Sequence, residues 1–183
     1  RPIRIAQITD PHLGPFMSQR RLRAIVERAI AESPDLIALT GDFLTMESQS
    51  DPSILGGALA PLRAFDGPVV ACLGNHDHEA PETVRQALRE AGVVLLVDEA
   101  RVFDTPAGSV QVVGADFRYR ARDEHLAELH AAHPRRAGVP RILLLHDPGA
   151  FRHVPDGGAD LVLSGHTHGG QVGLVSLGLS GTA

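Results

Sequence analysis

Five short polar clusters punctuate this chain: Asp10-Pro11-His12, Gly41-Asp42, Gly74-Asn75-His76-Asp77, the lone His146, and Gly165-His166-Thr167-His168. Apolar runs lead toward them at residues 3–8, 36–39, 69–73, 142–145 and 161–163. Short apolar runs bounded by Gly, Pro and Asp read as buried strands. Carboxylate, imidazole and carboxamide groups therefore gather where strands end, and in open α/β sheets ligands bind at that edge. Asp and His without cysteine form a donor set for hard-to-borderline divalent cations. The pattern reads as that of a two-metal hydrolase.

The elements that must position these groups alternate between strand and helix. Leu22, Ile25, Val26, Ala29 and Ile30 recur at helical spacing, and Ser33-Pro34 stops that helix. The strand at residues 35–39 delivers Gly41-Asp42. A second helix is expected within residues 53–64. A third, opened by Pro81, carries Val84, Ala87, Leu88 and Ala91 on one face. Residues 93–114 change to three short strands with a turn at Pro106-Ala107-Gly108. A helix around residues 123–132 precedes the strand into His146. Pattern alone gives an α/β chain.

Composition suits an enzyme domain. With 183 residues, 43% hydrophobic and 21% charged, residues 1–183 read as a single domain able to bury a core. The net charge of -5 argues against an extended nucleic-acid surface. The single cysteine, Cys72, lies in an apolar strand and reads as a core residue, so no intramolecular disulfide forms. No apolar run approaches the roughly 20 residues of a membrane-spanning helix. The chain starts at Arg1 rather than Met, which leaves room for an upstream signal or membrane tether. The expected location is cytoplasmic or membrane-associated.

The order Asp-x-His, Gly-Asp, Gly-Asn-His-Asp, His, Gly-His-x-His resembles the calcineurin-like metallophosphoesterase superfamily from Ile5 to about Gln171. The extended motif Gly165-His166-Thr167-His168-Gly169-Gly170-Gln171 resembles its phosphodiesterase or phosphohydrolase branch, many of whose members are membrane-tethered. The resemblance implies a four-layer α/β/β/α sandwich, two mixed sheets flanked by helices. Relatives usually continue beyond Gln171, so the chain is expected to be a compact member or truncated at one or both ends.

The resemblance also implies two divalent metal ions, Mn, Fe or Zn. Two cations about 3.5–4 Å apart need a bridging anion, and Asp42 matches the family's bridging carboxylate. Asp10, His12 and His168 would complete one site, and Asn75, His146 and His166 the other. Glycines before Asp42, Asn75 and His166 suit tight turns and close backbone approach. The implied nucleophile is a metal-bound hydroxide, since a Lewis-acidic metal lowers the pKa of bound water to about 7. His76 matches the histidine that contacts the phosphate and protonates the leaving alkoxide. Asp77 would orient His76 and favour its protonated form.

Other polar residues carry weaker signals. His78 reads as an exposed loop residue, and His125, His130 and His133 as a solvated helix face. Arg118, Arg120 and Arg122 flank Tyr119 on a loop that could reach the site, although such a charge run is usually solvated. Asp147 reads either as support for His146 or as a cap before Pro148. Thr45 stands where many relatives carry a further acidic residue after Gly-Asp.

The expected activity is dinuclear-metal-dependent hydrolysis of a phosphate-ester substrate, with phosphodiesters favoured. No long insertion separates Gly114 from Arg141, so little chain is available for a lipid-enclosing cap. A phosphomonoesterase or protein phosphatase would use the same metals with other recognition groups. A nuclease is disfavoured by the acidic balance. A non-catalytic scaffold is disfavoured by retention of every expected ligand plus His76.

Overall fold

The computed structural model describes residues 1–168; Gly169, Gly170 and Gln171, the end of the extended histidine motif, lie outside the described residues. In chain order the elements are β1 (Ile5–Ile8), α1 (Gln19–Ala31), β2 (Leu36–Leu39), α2 (Pro52–Leu59), β3 (Val69–Ala71), α3 (Pro81–Glu90), β4 (Val94–Leu95), β5 (Glu99–Thr105), β6 (Gly108–Ala115), α4 (Arg122–Ala132), β7 (Arg141–Leu145) and β8 (Leu161–Leu163).

The strands form two four-stranded sheets in the orders β1-β2-β3-β4 and β5-β6-β7-β8. Each step from β1 to β4 passes through a helix, so the described strands of the first sheet are all parallel. Mixed character belongs to the second sheet, where the β5–β6 hairpin is antiparallel while β6, β7 and β8 run parallel.

Alternation along the strands builds the layers, because successive side chains point to opposite faces. Leu36 and Ala38 of β2 meet Val70, Cys72, Val110, Val112, Ile142 and Leu144 between the two sheets. Ile37 and Leu39 face the other way and pack with Leu22, Val26, Leu55, Val84 and Leu88 from α1, α2 and α3. On the far side, Leu143 and Leu145 of β7 pack with Leu126 and Leu129 of α4. Three apolar interfaces between four layers give an α/β/β/α sandwich. Burying each such leucine contributes about 1.5–3 kcal/mol before entropic costs.

Local chemistry sets the helix ends. Ser18 caps α1 by accepting from the Arg21 N–H, and the chain leaves that helix through Ser33 at φ 51°. Asp51 caps α2, whose first residue is Pro52. Helical winding continues beyond α2 as a 3₁₀ segment, Ala60–Ala64. Among the described residues no helix is long and apolar enough to cross a membrane.

Candidate metal site

The loops leaving β1 and β2 run side by side at the carboxyl edge of the first sheet. The Asp10 N–H donates to the Gly41 carbonyl, His12 to Asp42, and Leu13 to Phe43. The loop after β8 is drawn to the same place. The His166 N–H lies 2.9 and 3.0 Å from the two Asp10 carboxylate oxygens, and Gln7 Nε2 donates to the Ser164 carbonyl at 2.8 Å.

Two triads result. Ligand atoms of Asp10, His12 and His168 lie within 4.8 Å of one another, as do those of Asp42, His146 and His166. The triads adjoin. Asp42 Oδ2 is 3.2 Å from His146 Nε2 and 3.6 Å from His12 Nε2. Asp42 Oδ1 accepts from the His76 N–H at 2.9 Å, which places the Asn75-His76 turn beside the same carboxylate.

The backbone carries strain at these positions. Eight non-glycine residues have positive φ among the described residues. Five of them are Asp10 (49°), His12 (40°), Asp42 (55°), His166 (68°) and His168 (50°). Left-handed backbone costs an L residue about 1–2 kcal/mol, and such strain concentrates at functional sites. Gly41, at φ 91°, lies where a Cβ would collide with the Gly74 backbone and approach His146 Nδ1 to 2.8 Å. Only glycine lets the two loops approach so closely.

The donor set has an electrostatic deficit that a cation would fill. His146 Nδ1 lies 2.7 Å from the Thr40 carbonyl, which can only accept, so Nδ1 holds the proton. Nε2 is then a lone pair facing the Asp42 carboxylate, buried and without a well-formed hydrogen bond. Asn75 Oδ1 is also buried without a partner. Buried acceptors with no donor are costly, and acceptors gathered beside a carboxylate suit a divalent ion.

Charge preferences agree with that deficit. Burial works against the Asp42 charge, but His146, the His76 N–H and His12 together hold its pKa below the usual range. Burial also opposes the His146 charge, yet Asp42 and the Thr40 carbonyl raise its pKa above the usual value. His12 titrates low, chiefly because it is partly buried.

Asp77 occupies a different place from the one expected of it. Its Oδ2 accepts from the Asp42 N–H at 2.8 Å and the Gly74 N–H at 2.7 Å, and its Oδ1 accepts from the Phe43 N–H at 2.8 Å. Burial pushes its pKa up to about 6 against the pull of those N–H groups. The carboxylate ties the β2 and β3 loops together. The ring of His76 pairs instead with Glu79, Nδ1 to Oε1, at 2.8 Å. His76 to Glu79 is a 3₁₀ turn, in which residues three apart eclipse one another, so the reach falls to Glu79.

Phe117 is a further neighbour that the sequence did not single out. Its ring centroid lies 5.9 Å from that of His166 and 6.1 Å from that of His146. An aromatic residue after a strand carries no signal separating it from ordinary core. The other flagged residues are largely bound up. His78 pairs with Asp116 at 2.9 Å. His125 pairs with Asp98, His130 bonds the Leu126 carbonyl and His133 the Asp98 carbonyl, so these three are half-buried and hydrogen-bonded rather than a solvated face. Arg118 lies near Asp98 and Asp116, while Arg122 pairs with Asp147 at 2.7 Å. Asp147 also caps the 3₁₀ turn Pro148–His153. Cys72 is buried between the sheets, and burial raises its thiol pKa.

Comparison with known proteins places this geometry. The chain is 31% identical over 175 residues to phosphodiesterase YaeI of Escherichia coli K12, covering 93% of this chain and 62% of that one. It is 33% identical over 144 residues to the uncharacterized metallophosphoesterase YkoQ of Bacillus subtilis 168, covering 75% of this chain and 51% of the relative. The chain thus spans between about half and two thirds of the length of these relatives. TT1561 of Thermus thermophilus shares the fold, with TM-score 0.62 and 14% identity over 89% of this chain and 81% of that one. The profile described as Calcineurin-like phosphoesterase matches residues 3–170, nearly the whole sequence. On that match, and with two Asp-His triads at the strand ends, the chain belongs to the calcineurin-like phosphoesterase family.

Proposed function

We propose that this chain hydrolyses phosphodiesters with two divalent metal ions. Asp10, His12 and His168 would hold one ion, Asn75, His146 and His166 the other, and Asp42 both. The observation that carries the reading is the position of Asp42 Oδ2, 3.2 Å from a nitrogen of one triad and 3.6 Å from a nitrogen of the other. Bound ions would supply Lewis acidity and positive charge to a phosphate ester and to water. Family membership implies divalent metal; manganese is our choice for assay among Mn, Fe and Zn.

The chain's own residues do the rest. Asp10 holds the His166 loop through its N–H. The Thr40 carbonyl keeps the His146 proton on Nδ1, so that Nε2 is turned to the ligand role. Asp77 fixes the turn carrying Asn75 and His76 against the Asp42 loop. His76 would give a proton from Nε2 to the leaving oxygen.

The diester preference is supported by the name of YaeI and by the state of the arginines. A monoester dianion needs extra cationic recognition, yet Arg118 and Arg122 already face carboxylates. Of these three arginines, Arg120 alone has no carboxylate partner among the described residues. The second reading, a phosphomonoesterase, would have to recruit those groups. Diester and monoester nitrophenyl phosphates compared under saturating Mn²⁺ decide between them. The diester should have the higher kcat/KM; a monoester preference abolished by replacing the arginines would favour the phosphatase.

A further inference from the structure

The His76 ring is tied through one relay to the loop after β2 and to α3. Nδ1 meets Glu79 Oε1 at 2.8 Å. Gln49 Nε2, from the loop after β2, donates to Glu79 Oε2 at 2.7 Å. Thr83 Oγ1, from α3, donates to the Gln49 carbonyl at 2.9 Å. We infer that Glu79, seated by Gln49, is the positioning residue of His76: its carboxylate accepts from Nδ1–H, so the neutral ring is the Nδ1–H tautomer, and the proton the imidazolium gives up is the one on Nε2, which passes to the leaving oxygen.

The tautomer part stands alone, whereas the part about the leaving oxygen rests on the phosphodiesterase reading. A bare exposed pair three residues apart would carry little weight. Such pairs contribute little and hold no fixed geometry, and the side chains of His76 and Glu79 are 44% and 40% exposed. Gln49 changes this. One carboxylate oxygen is held by the side-chain amide of a residue whose backbone carbonyl is anchored to α3, so the other oxygen is aimed before the imidazole arrives. The hydrogen bond from Gln49, ahead of that from His76, holds the Glu79 carboxyl below its usual range and keeps it an acceptor.

The other candidates for the role are engaged elsewhere. Both oxygens of Asp77 accept backbone N–H groups. Position 45 offers a hydroxyl, which donates to the Leu13 carbonyl. Which imidazole nitrogen carries the proton is set by the hydrogen bond the other makes, and here Glu79 makes it.

Long-range ¹⁵N NMR of the imidazoles in the metal-free protein reads this directly. His76 should be the Nδ1–H tautomer. Glu79→Ala should convert it mainly to Nε2–H, and Gln49→Ala should do so in part, with melting temperature and metal content unchanged in both. With metals loaded, each variant should lose roughly 10–100-fold in kcat on alkyl diesters, with less loss on nitrophenyl diesters and little change in KM. An Nε2–H tautomer in the unaltered protein, or one unmoved by Glu79→Ala, overturns the inference. If the tautomer responds as stated but the metal-loaded protein hydrolyses no ester, the positioning role stands and the phosphodiesterase reading fails.

Discussion

His146 presents its Nδ1–H to the Thr40 carbonyl at 2.7 Å, across the gap between the two sheets. That bond joins the end of β7 to the end of β2 and settles which nitrogen is available for a metal. It turns a feature of the fold, the packing of one sheet on the other, into a feature of the site. Removing the imidazole with His146→Ala should therefore cost metal affinity more than the ~10–100-fold typical of losing an outer partner. Calorimetric titration of Mn²⁺ into the variant checks this, and undiminished affinity would contradict it.

His76 lies outside both triads. His76→Ala should leave metal content unchanged while slowing turnover by roughly 10²–10⁴-fold, as loss of a general acid does. The defect should shrink for nitrophenolate, which leaves without protonation. Equal losses on good and poor leaving groups would move His76 from proton donation to phosphate binding.

Asp77 is expected to act on stability first. Asp77→Ala leaves the N–H groups of Asp42, Phe43 and Gly74 without their acceptor. Each buried group left unpaired costs about 1–3 kcal/mol, so urea unfolding should show a loss of roughly 3 kcal/mol or more. Near-normal stability would show that the loops hold together without it.

Asp35 and Asp160 give the fold an acid limit. The Arg1 guanidinium and the Arg4 N–H hold the Asp35 carboxyl below its usual range, as Arg135 and the Arg141 N–H do for Asp160. A carboxyl with a depressed folded pKa stabilises above its unfolded pKa of about 3.9 and loses that stabilisation as pH falls toward the folded value. Melting temperature should drop as pH falls below about 4, and less steeply in Asp35→Asn/Asp160→Asn. An unchanged slope in the double variant would remove these carboxyls from the account.

Much of this arrangement was legible in the sequence because it depends on periodicity and punctuation. Apolar runs at residues 36–39 and 142–145 became β2 and the bulk of β7, and the polar clusters beyond them fell at one edge. Pro81 opened α3, and the turn at Pro106-Ala107-Gly108 separated β5 from β6. Pairing between side chains was less legible. Asp77 and Glu79 sit one and three residues from His76, and only the 3₁₀ geometry of that turn decides which reaches the ring. Phe117 looked like any core aromatic. The parallel order of the first sheet follows from helical crossovers, which a strand pattern alone does not order. The left-handed backbone at Asp10, His12, Asp42, His166 and His168 falls on Asp and His, types that adopt it more readily than most, but residue type alone does not mark which of the chain's Asp and His residues do so.

The central claim is that two metal ions share Asp42. Electron paramagnetic resonance of the protein titrated with Mn²⁺ tests it most directly. The account predicts two Mn²⁺ per chain giving the signal of a spin-coupled pair, with the coupling lost in Asp42→Asn. Saturation at one Mn²⁺ per chain, or two ions whose signals are uncoupled in the unaltered protein, would contradict it.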